Sequence, residues 1–259
     1  MRESMYSALF GAMTNEHRLD VISNNLANVS TTGYKKDNVA FQDTFQRFAT
    51  DYLADAKPYL RDKEWWPRPH VQARPRMGGQ YSDMAQGGMQ STGNSLDVAL
   101  SGEGFFKVRS AKGDFMTRSG SFQLAADGRL LTEQGFEVLG GGSPITLPRD
   151  NKIEIDGTGA IRVDGNQIAA LDLVNVSDPK ALEKVGGNLF QIRKGSKATE
   201  IPTEGVQVRQ GYLEKANVEI VGELVNMMEA QRAFEIYQKL MTTTDSMESL
   251  VINKVGQVG

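Results

Sequence analysis

The sequence of 259 residues contains no cysteine and only two histidines. Without cysteine the chain forms no disulfide bond, no cysteine zinc site and no thiol nucleophile. These are His17 and His70, which are far apart in the sequence. The chain therefore offers almost no residues for histidine-based catalysis or metal binding. We therefore expect neither a cofactor nor a metal site.

The chain also lacks an excess of positive charge and any long apolar run. Its 29 Lys and Arg face 32 Asp and Glu, a net charge of -3, and no global positive field exists to hold nucleic acid or an anionic bilayer. No run approaches the roughly 20 apolar residues that span a bilayer. The first fifteen residues contain no signal-peptide core or cleavage site. We predict no nucleic-acid binding and no membrane insertion, and export, if it occurs, without a cleaved signal peptide.

Both ends of the chain carry apolar residues at helical spacing. Between Met5 and Val29 small or apolar residues fall on two interleaved sevenfold ladders, a pattern typical of a coiled-coil seam. Gly33, preceded by two threonines, should stop this helix in a left-handed conformation. From Val218 to Val255 there is no proline, which predicts a second helix of roughly 35 residues, about 50 Å long. So wide an apolar arc needs partners beyond the monomer.

The segment before the middle of the chain has the composition of an extended linker. It carries four of the eight prolines and both tryptophans, Trp65 and Trp66, among several arginines. Basic and aromatic residues together also suit stacking on nucleic-acid bases. The prolines hold the backbone extended and the tryptophans offer large apolar side chains. This combination favours packing of the segment on a neighbouring subunit or around its own chain.

The middle of the chain shows a period of two, which is typical of strands. Short apolar runs recur and are punctuated by Asp-Gly pairs that begin at residues 127, 156 and 164, as in hairpins. These features predict an all-β domain, either a barrel or a sandwich. The fold class is α+β, in four segments: a helical segment over 1–40, an extended linker over 41–90, the β domain over 91–210 and a helical segment over 211–259.

Few side-chain groupings in the β region suggest catalysis. A glycosidase needs two carboxylates that face each other across a cleft, whereas the acids here mostly lie beside turn glycines, where they favour turn geometry. No helix pattern follows the Gly102-Glu103-Gly104 string, which argues against a phosphate-binding loop. We interpret these acids as solvated turn residues: Asp97, Glu103, Asp114, Glu133 and Glu137.

Both ends of the chain resemble the bacterial flagellar rod and hook family. The N-terminal string is SNNLANVSTTGYK at residues 23–35. Its C-terminal counterpart is GYLE at 211–214, NVE at 217–219, ELVNMM at 223–228 and QRAFE at 231–235. The middle is similar as well, with GEGFF at 102–106, TRSGSF at 117–122 and DGRL at 127–130.

Within this family the resemblance points to two rod subtypes. Residues 138–148 are similar to the proximal rod protein, whereas residues 223–227 and 231–233 look more like the distal rod protein. The β domain has no large insertion, which argues against a hook protein. The prediction is the proximal rod first and the distal rod second, with a hook-type axial subunit as a further alternative.

The resemblance implies a non-enzymatic structural subunit of the basal-body rod. It implies export of the unfolded chain through the flagellar type III apparatus and self-assembly into a helical axial tube that transmits torque. The implied partners are copies of itself, other rod and hook proteins, and the export apparatus, in the periplasm-spanning rod. The rival from another class is a β-rich cell-wall-binding or wall-hydrolysing module, which has no need of paired end signatures.

The predicted assembly interface combines apolar helix positions with residues of the two end signatures. These positions are Leu19, Ile22, Asn25, Leu26, Asn28, Val29, Gly33, Asn217, Val218, Leu224, Met227, Gln231, Phe234, Tyr237 and Met241. Trp65 and Trp66 are the predicted linker contacts.

Overall fold

The computed structural model describes residues 2–47, 71–148, 152–203 and 205–256. In these residues two long helices flank a β-rich region: α1 spans Arg2–Ala27 and α2 spans Ile220–Gly256. The α+β class is therefore as predicted. Neither helix has a stretch long and apolar enough to cross a membrane. The predicted linker contacts Trp65 and Trp66 lie outside the described residues.

The strands of the described residues are mostly short. They are β1 (Asp37–Arg47), β2 (Val71–Ser82), β3 (Met89–Ser91), β4 (Val98–Ser101), β5 (Phe105–Ser110), β6 (Gly113–Thr117), β7 (Phe122–Leu124), β8 (Leu130–Thr132), β9 (Glu137–Gly140), β10 (Ser143–Pro144), β11 (Ile153–Ile155), β12 (Ala160–Val163), β13 (Asn166–Ala170), β14 (Leu173–Val176), β15 (Leu182–Gly186), β16 (Leu189–Ile192), β17 (Glu200–Pro202), β18 (Gln207–Gln210) and β19 (Tyr212–Glu214). One turn of 3-10 helix covers Pro179–Ala181.

The largest sheet has ten strands, with β15-β16-β6-β5-β9-β8-β7 as its main path. A smaller sheet, β11-β12-β13, turns between its last two strands at Asp164 and Gly165. Both residues have positive φ, as a tight hairpin requires, and the predicted turn is confirmed there. The first and last strands of the region close on each other, because β3 pairs with β19 and β4 pairs with β18.

Strand β5 packs apolar side chains on both faces of the ten-stranded sheet. Successive residues of a strand point to opposite faces, so Phe106 joins one buried cluster and Phe105 joins another. Phe106 meets Phe122 edge-on with ring centroids 5.2 Å apart, and Phe105 lies 5.6 Å from Phe190. At β5 the sheet is thus buried on both sides, between the two apolar clusters of this region.

The described residues form two compact units, each assembled from separate parts of the chain. The helical unit takes its described residues from 1–23, 39–80 and 224–259, and the sheet unit takes them from 24–38 and 81–223. The last turn of α1 and the segment that follows it therefore belong to the sheet unit. The division into four consecutive segments stays a prediction.

Helix α1 ends at Ala27, before the predicted stop at Gly33. The Asn28 side chain donates to the carbonyl oxygen of Asn24 at 2.8 Å and so competes for the carbonyls of the last helical turn. Turns follow up to Gly33, whose φ is +66° as predicted. Gly33 is thus left-handed but does not cap α1.

Candidate functional site

Glu214 lies at the centre of a buried ionic cluster in the sheet unit. Its Oε1 accepts a hydrogen bond from Lys35 Nζ at 2.7 Å, and its Oε2 accepts one from Arg118 Nε at 2.6 Å. Glu214 and Lys35 are each 2% exposed, and Arg118 is 4% exposed. One carboxylate therefore holds two buried cations, one from the N-terminal signature and one from the β region.

The remaining donors of Arg118 are used by the backbone around β4 and β5. Its guanidinium donates to the carbonyl oxygens of Leu100 at 3.2 Å, of Gly102 at 2.5 Å and of Gly104. The GEG string at 102–104 is therefore a turn whose carbonyls point at a buried arginine. Lys35 Nζ likewise donates to the carbonyl oxygen of Ala85 at 2.7 Å.

The electrostatics of this cluster depend on its one carboxylate. Burial lowers the pKa of Lys35, and the charge and hydrogen bond of Glu214 oppose that shift. Removing one partner of a buried ion pair typically costs 3–5 kcal/mol, because the other charge stays buried and unpaired. Glu214 therefore decides whether Lys35 and Arg118 can remain inside the sheet unit.

Asn25 fixes the last turn of α1 to the start of β1. Its Nδ2 donates to the carbonyl oxygen of Asp37 and its Oδ1 accepts from the Asp37 amide, both at 2.9 Å. The hydroxyl of Tyr34 donates to the same Oδ1 at 3.1 Å and to Asn24 Oδ1 at 3.0 Å. A buried asparagine thus replaces the backbone partners that Asp37 would otherwise lack.

Asn217, in the C-terminal signature, holds the same segment from the other side. Its Oδ1 accepts from the Lys36 amide at 2.7 Å, and its Nδ2 donates to the carbonyl oxygens of Asp83 at 2.9 Å and Ala85 at 3.1 Å. The two end signatures, which lie far apart in the sequence, are therefore joined by hydrogen bonds within one unit. We call this group of contacts the junction: Asn25, Gly33, Tyr34, Lys35, Asp37, Arg118, Lys184, Glu214 and Asn217.

Gly33 allows the two signatures to approach the β region closely. Its amide donates to the carbonyl oxygen of Glu214 at 2.7 Å. A Cβ at this position would lie 2.5 Å from the backbone of Arg118 and Ser119. Both the left-handed φ and this contact require glycine.

Lys184 covers the other end of the junction. Its Nζ donates to the carbonyl oxygen of Lys35 at 2.5 Å and to Asp37 Oδ2 at 2.9 Å, and it lies 4.0 Å from the centre of the Tyr34 ring. Burial lowers the pKa of Lys184, against the effect of Asp37. Burial raises the pKa of Tyr34, with further contributions from Asp37 and Glu223.

Three of the residues predicted for assembly, Asn25, Gly33 and Asn217, meet in the junction. The other predicted positions of the sheet unit are half-buried: Leu26, Asn28, Val29 and Val218. In the helical unit Ile22 is buried, and Leu224 and Gln231 are exposed. The half-buried ones there are Leu19, Met227, Phe234, Tyr237 and Met241. Their role in assembly stays a prediction.

The site residues that sequence reasoning missed are the charged members of the junction and Tyr34. Lys35, Arg118 and Glu214 each lie inside a string that carries the family resemblance. Because charged residues are usually exposed, nothing in the sequence indicated that these three are buried. The one available signal was opposite charge in the two end signatures. Separation by 179 residues hides such a pair from any periodicity.

The candidate acids of the β region form local contacts. Asp114 pairs with Arg109 at 2.7 Å, Glu137 pairs with Arg129, and Asp97 accepts from the Asn94 side chain at 3.0 Å. Across the part of the chain that the structure describes, no three His, Asp or Glu side chains form a group suited to a metal ion.

The helices of the helical unit approach each other closely. A Cβ on Gly11 would lie 2.5 Å from the ring of Tyr237, and Ala8, Ala12 and Ala230 are buried. Small residues therefore permit this contact. Large apolar side chains of both helices remain exposed on other sides, among them Met5, Tyr6, Leu9, Met13, Val225, Met228, Ile236, Leu240, Met247 and Leu250.

Three family models match separate parts of the chain. Residues 5–35 match the model described as flagella basal body rod protein, and residues 99–163 match the D1 domain of the flagellar hook protein FlgE/F/G. Residues 209–254 match the C-terminal model of the flagellar basal body rod FlgEFG protein. Together these matches include the junction residues Lys35, Arg118 and Glu214.

Flagellar basal-body rod proteins of several bacteria align with nearly the whole chain. The chain is 34% identical to the flagellar basal-body rod protein FlgG of Borreliella burgdorferi, over 98% of each chain. It is 31% identical to FlgG of Bacillus subtilis over 98% of this chain and 99% of the relative. It is 30% identical to the flagellar basal-body rod protein FlgF of Caulobacter vibrioides, over the whole of both.

Proposed function

The chain belongs to the family of bacterial flagellar basal-body rod proteins, and we propose that it builds the rod by packing its two terminal helices against neighbouring subunits. It is a structural subunit of the flagellar basal body and not an enzyme. Its partners are other proteins of the rod and hook. Self-association through the helices, into a coiled-coil-like axial tube, is the finer part of the proposal.

One observation carries this proposal: the helical unit leaves many large apolar side chains exposed. In α1 and α2 together they form patches of the kind that mark protein–protein contact sites. Isolated helices with such faces are stabilised mainly by tertiary packing. Neighbouring subunits provide that packing in an assembled rod.

The junction supports a second part of the proposal, the transmission of torque. A rotating rod needs subunits that do not yield locally under load. Asn25 holds the last turn of α1, and Glu214 and Asn217 hold the segment that follows it. Buried, partnered polar networks rigidify a fold, and we infer that the junction makes the sheet unit, which includes the last turn of α1, resist local deformation.

Further proposals concern the export of the subunit, its position in the rod and the form of its β region. Export through the flagellar type III apparatus as an unfolded chain agrees with helices whose exposed apolar side chains gain packing partners only on assembly. The proximal rod is the first position proposed and the distal rod the second. A barrel or sandwich form of the β region and packing of Trp65 and Trp66 on a neighbour also stay proposals.

The test is to place the chain in purified basal bodies. Cells that lack the native gene and produce a tagged copy should be motile, and mass spectrometry and electron microscopy should find the tagged chain in the rod. Cells without the copy should lack a complete rod. A tagged chain absent from basal bodies, or release of soluble fragments from peptidoglycan by the purified protein, would favour the wall-binding alternative.

A further inference from the structure

A groove of about 740 Å³ lies on the sheet unit and shares no residue with the junction. It is lined by β11, by the loop between β3 and β4, and by the start of β19. All of its lining residues belong to the sheet unit. Small-molecule sites occupy roughly 300–1,000 Å³, so the groove is large enough for a ligand of several rings.

Gln210 holds the groove in shape, because it bonds to two of the segments that line it. Its Nε2 donates to the carbonyl oxygen of Ser95 at 2.8 Å and to that of Ile153 at 2.9 Å, and its Oε1 accepts from the Ile155 amide at 3.2 Å. Strand β11 is an edge of the three-stranded sheet, so the Gln210 amide takes backbone bonds that an added strand would use. The groove is therefore preorganised, and it suits a ligand that bonds to side chains better than an extended peptide.

The charged side chains of the groove are balanced and paired. Lys152 Nζ lies 2.7 Å from Glu154 Oε1, and Arg162 Nη2 lies 3.5 Å from Asp156 Oδ2. Since two cations accompany two carboxylates, the groove has no net charge to attract phosphate, a polyanion or a metal ion. It offers instead planar carboxylate and guanidinium groups, each of which can bind two neighbouring polar groups of a ligand.

Tyr212 is the one aromatic side chain among the described residues that line the groove, and it is 36% exposed. It lies opposite Ser91 in the pairing of β3 with β19, and that serine also lines the groove. An exposed tyrosine combines an apolar ring with a polar hydroxyl. The other large apolar residues of the groove are Ile153, which is half-buried, and Ile155, which is buried. The tyrosine ring is therefore the chief apolar group that a ligand can cover.

We propose that this groove binds a neutral oligosaccharide. A sugar ring carries hydroxyl groups on neighbouring carbons, which carboxylate and guanidinium groups bind in pairs, and a face of C–H groups, which stacks on an aromatic ring. Neither a lipid nor an apolar peptide matches a groove with one exposed ring and four charged side chains. The inference goes beyond the proposed function, because a subunit that only packs against other subunits needs no sugar site.

Titration of the full-length chain, kept dilute so that it stays monomeric, tests the proposal. The probes are cellotetraose and chitotetraose, which are uncharged, and a sulfated oligosaccharide of similar length is the charged comparison. We expect at least one of the neutral probes to bind with a Kd of about 1 mM or tighter and to shift the NMR signals of Tyr212 and β11. Unlike an ionic contact, this binding should persist in about 0.5 M salt.

Two exposed residues of the groove can be changed, each with a matched control outside it. Tyr212→Ala should weaken binding by about fivefold or more. Tyr81→Ala removes a tyrosine that is 48% exposed elsewhere in the sheet unit and should leave binding unchanged. Arg162→Gln should weaken binding by a similar factor, whereas Arg193→Gln, whose ion pair with Glu183 is also long at 3.7 Å, should not. Thermal unfolding should show that all four variants keep the fold.

Three results would overturn the proposal. The first is that neither neutral probe binds at about 10 mM, and the second is that the groove variants bind as well as their controls. The third is binding confined to the sulfated oligosaccharide, because the contact would then depend on charge alone. The tagged chain in purified rods tests the proposed function separately, so a rod subunit that binds no sugar would refute this inference and leave that function standing.

Discussion

Lys35 and Glu214 are 179 positions apart in the sequence, yet Lys35 Nζ lies 2.7 Å from Glu214 Oε1 and both residues are almost fully buried. Each belongs to one of the two end signatures. The contact therefore makes the two signatures parts of one folded unit, in addition to any role in assembly.

Replacement of this carboxylate should be costly. We expect Glu214→Gln to lower the free energy of unfolding of the sheet unit by about 3–5 kcal/mol, because Lys35 and Arg118 then remain buried without a counter-charge. The control is Glu200→Gln, which removes the exposed pair with Lys107, also 2.7 Å long. It should change stability by less than about 1 kcal/mol. Denaturant unfolding of both variants measures the difference, and equal losses would contradict the assignment.

The Asn25 side chain should stabilise the entry of α1 into the sheet unit. Asn25→Ala leaves both backbone groups of Asp37 without their partners in a buried site, at an expected cost of about 2–4 kcal/mol. Asn24→Ala removes an exposed acceptor of the Tyr34 hydroxyl and should cost about 1 kcal/mol or less. Thermal unfolding compares the two, and a larger loss for Asn24→Ala would show that Asn25 is dispensable.

Gly33→Ala should be more damaging than its backbone conformation alone explains. Gly142 also has a positive φ, of +77°, but a Cβ there meets nothing within 4 Å, so Gly142→Ala isolates the conformational cost of about 1 kcal/mol. At Gly33 the new Cβ additionally meets the backbone of Arg118 and Ser119 at 2.5 Å. We expect a loss of several kcal/mol more in denaturant unfolding. Similar losses for the two variants would mean that this backbone shifts freely.

Tyr34 should make the protein less stable in alkali. Because the pKa of Tyr34 is raised in the folded state, its contribution is fully present below the ordinary tyrosine pKa of about 10 and is lost as pH rises above it. The stability difference between the native chain and Tyr34→Phe should therefore shrink by about 1.4 kcal/mol per pH unit above 10. Unfolding curves from pH 8 to 11 measure it. A difference that stays constant across this range would show that Tyr34 ionises normally.

Periodicity predicted the elements well and their long-range contacts poorly. The helix over α2 and the strands β5, β6, β11 and β12 follow from spacing and from Asp-Gly turns such as Asp164-Gly165, because those signals are local. The early end of α1 depends on a side chain that competes for helix carbonyls, which spacing does not show. Arg118 and Glu214 can be buried because each pairs with residues that are distant in the sequence. No window of sequence contains both members of such a pair.

The pairing of early strands with late ones also affects the order in which a newly made chain folds. Strand β3 cannot pair until β19 is available, and β4 cannot pair until β18 is available. In the same way, Lys35 and Arg118 cannot form their ion pairs until Glu214 is available. Contacts between such distant segments form late, because loop closure costs entropy before any contact rewards it. In a chain that has folded only in part, β3, β4 and the two buried cations therefore lack their partners until the last strands of the β region are in place.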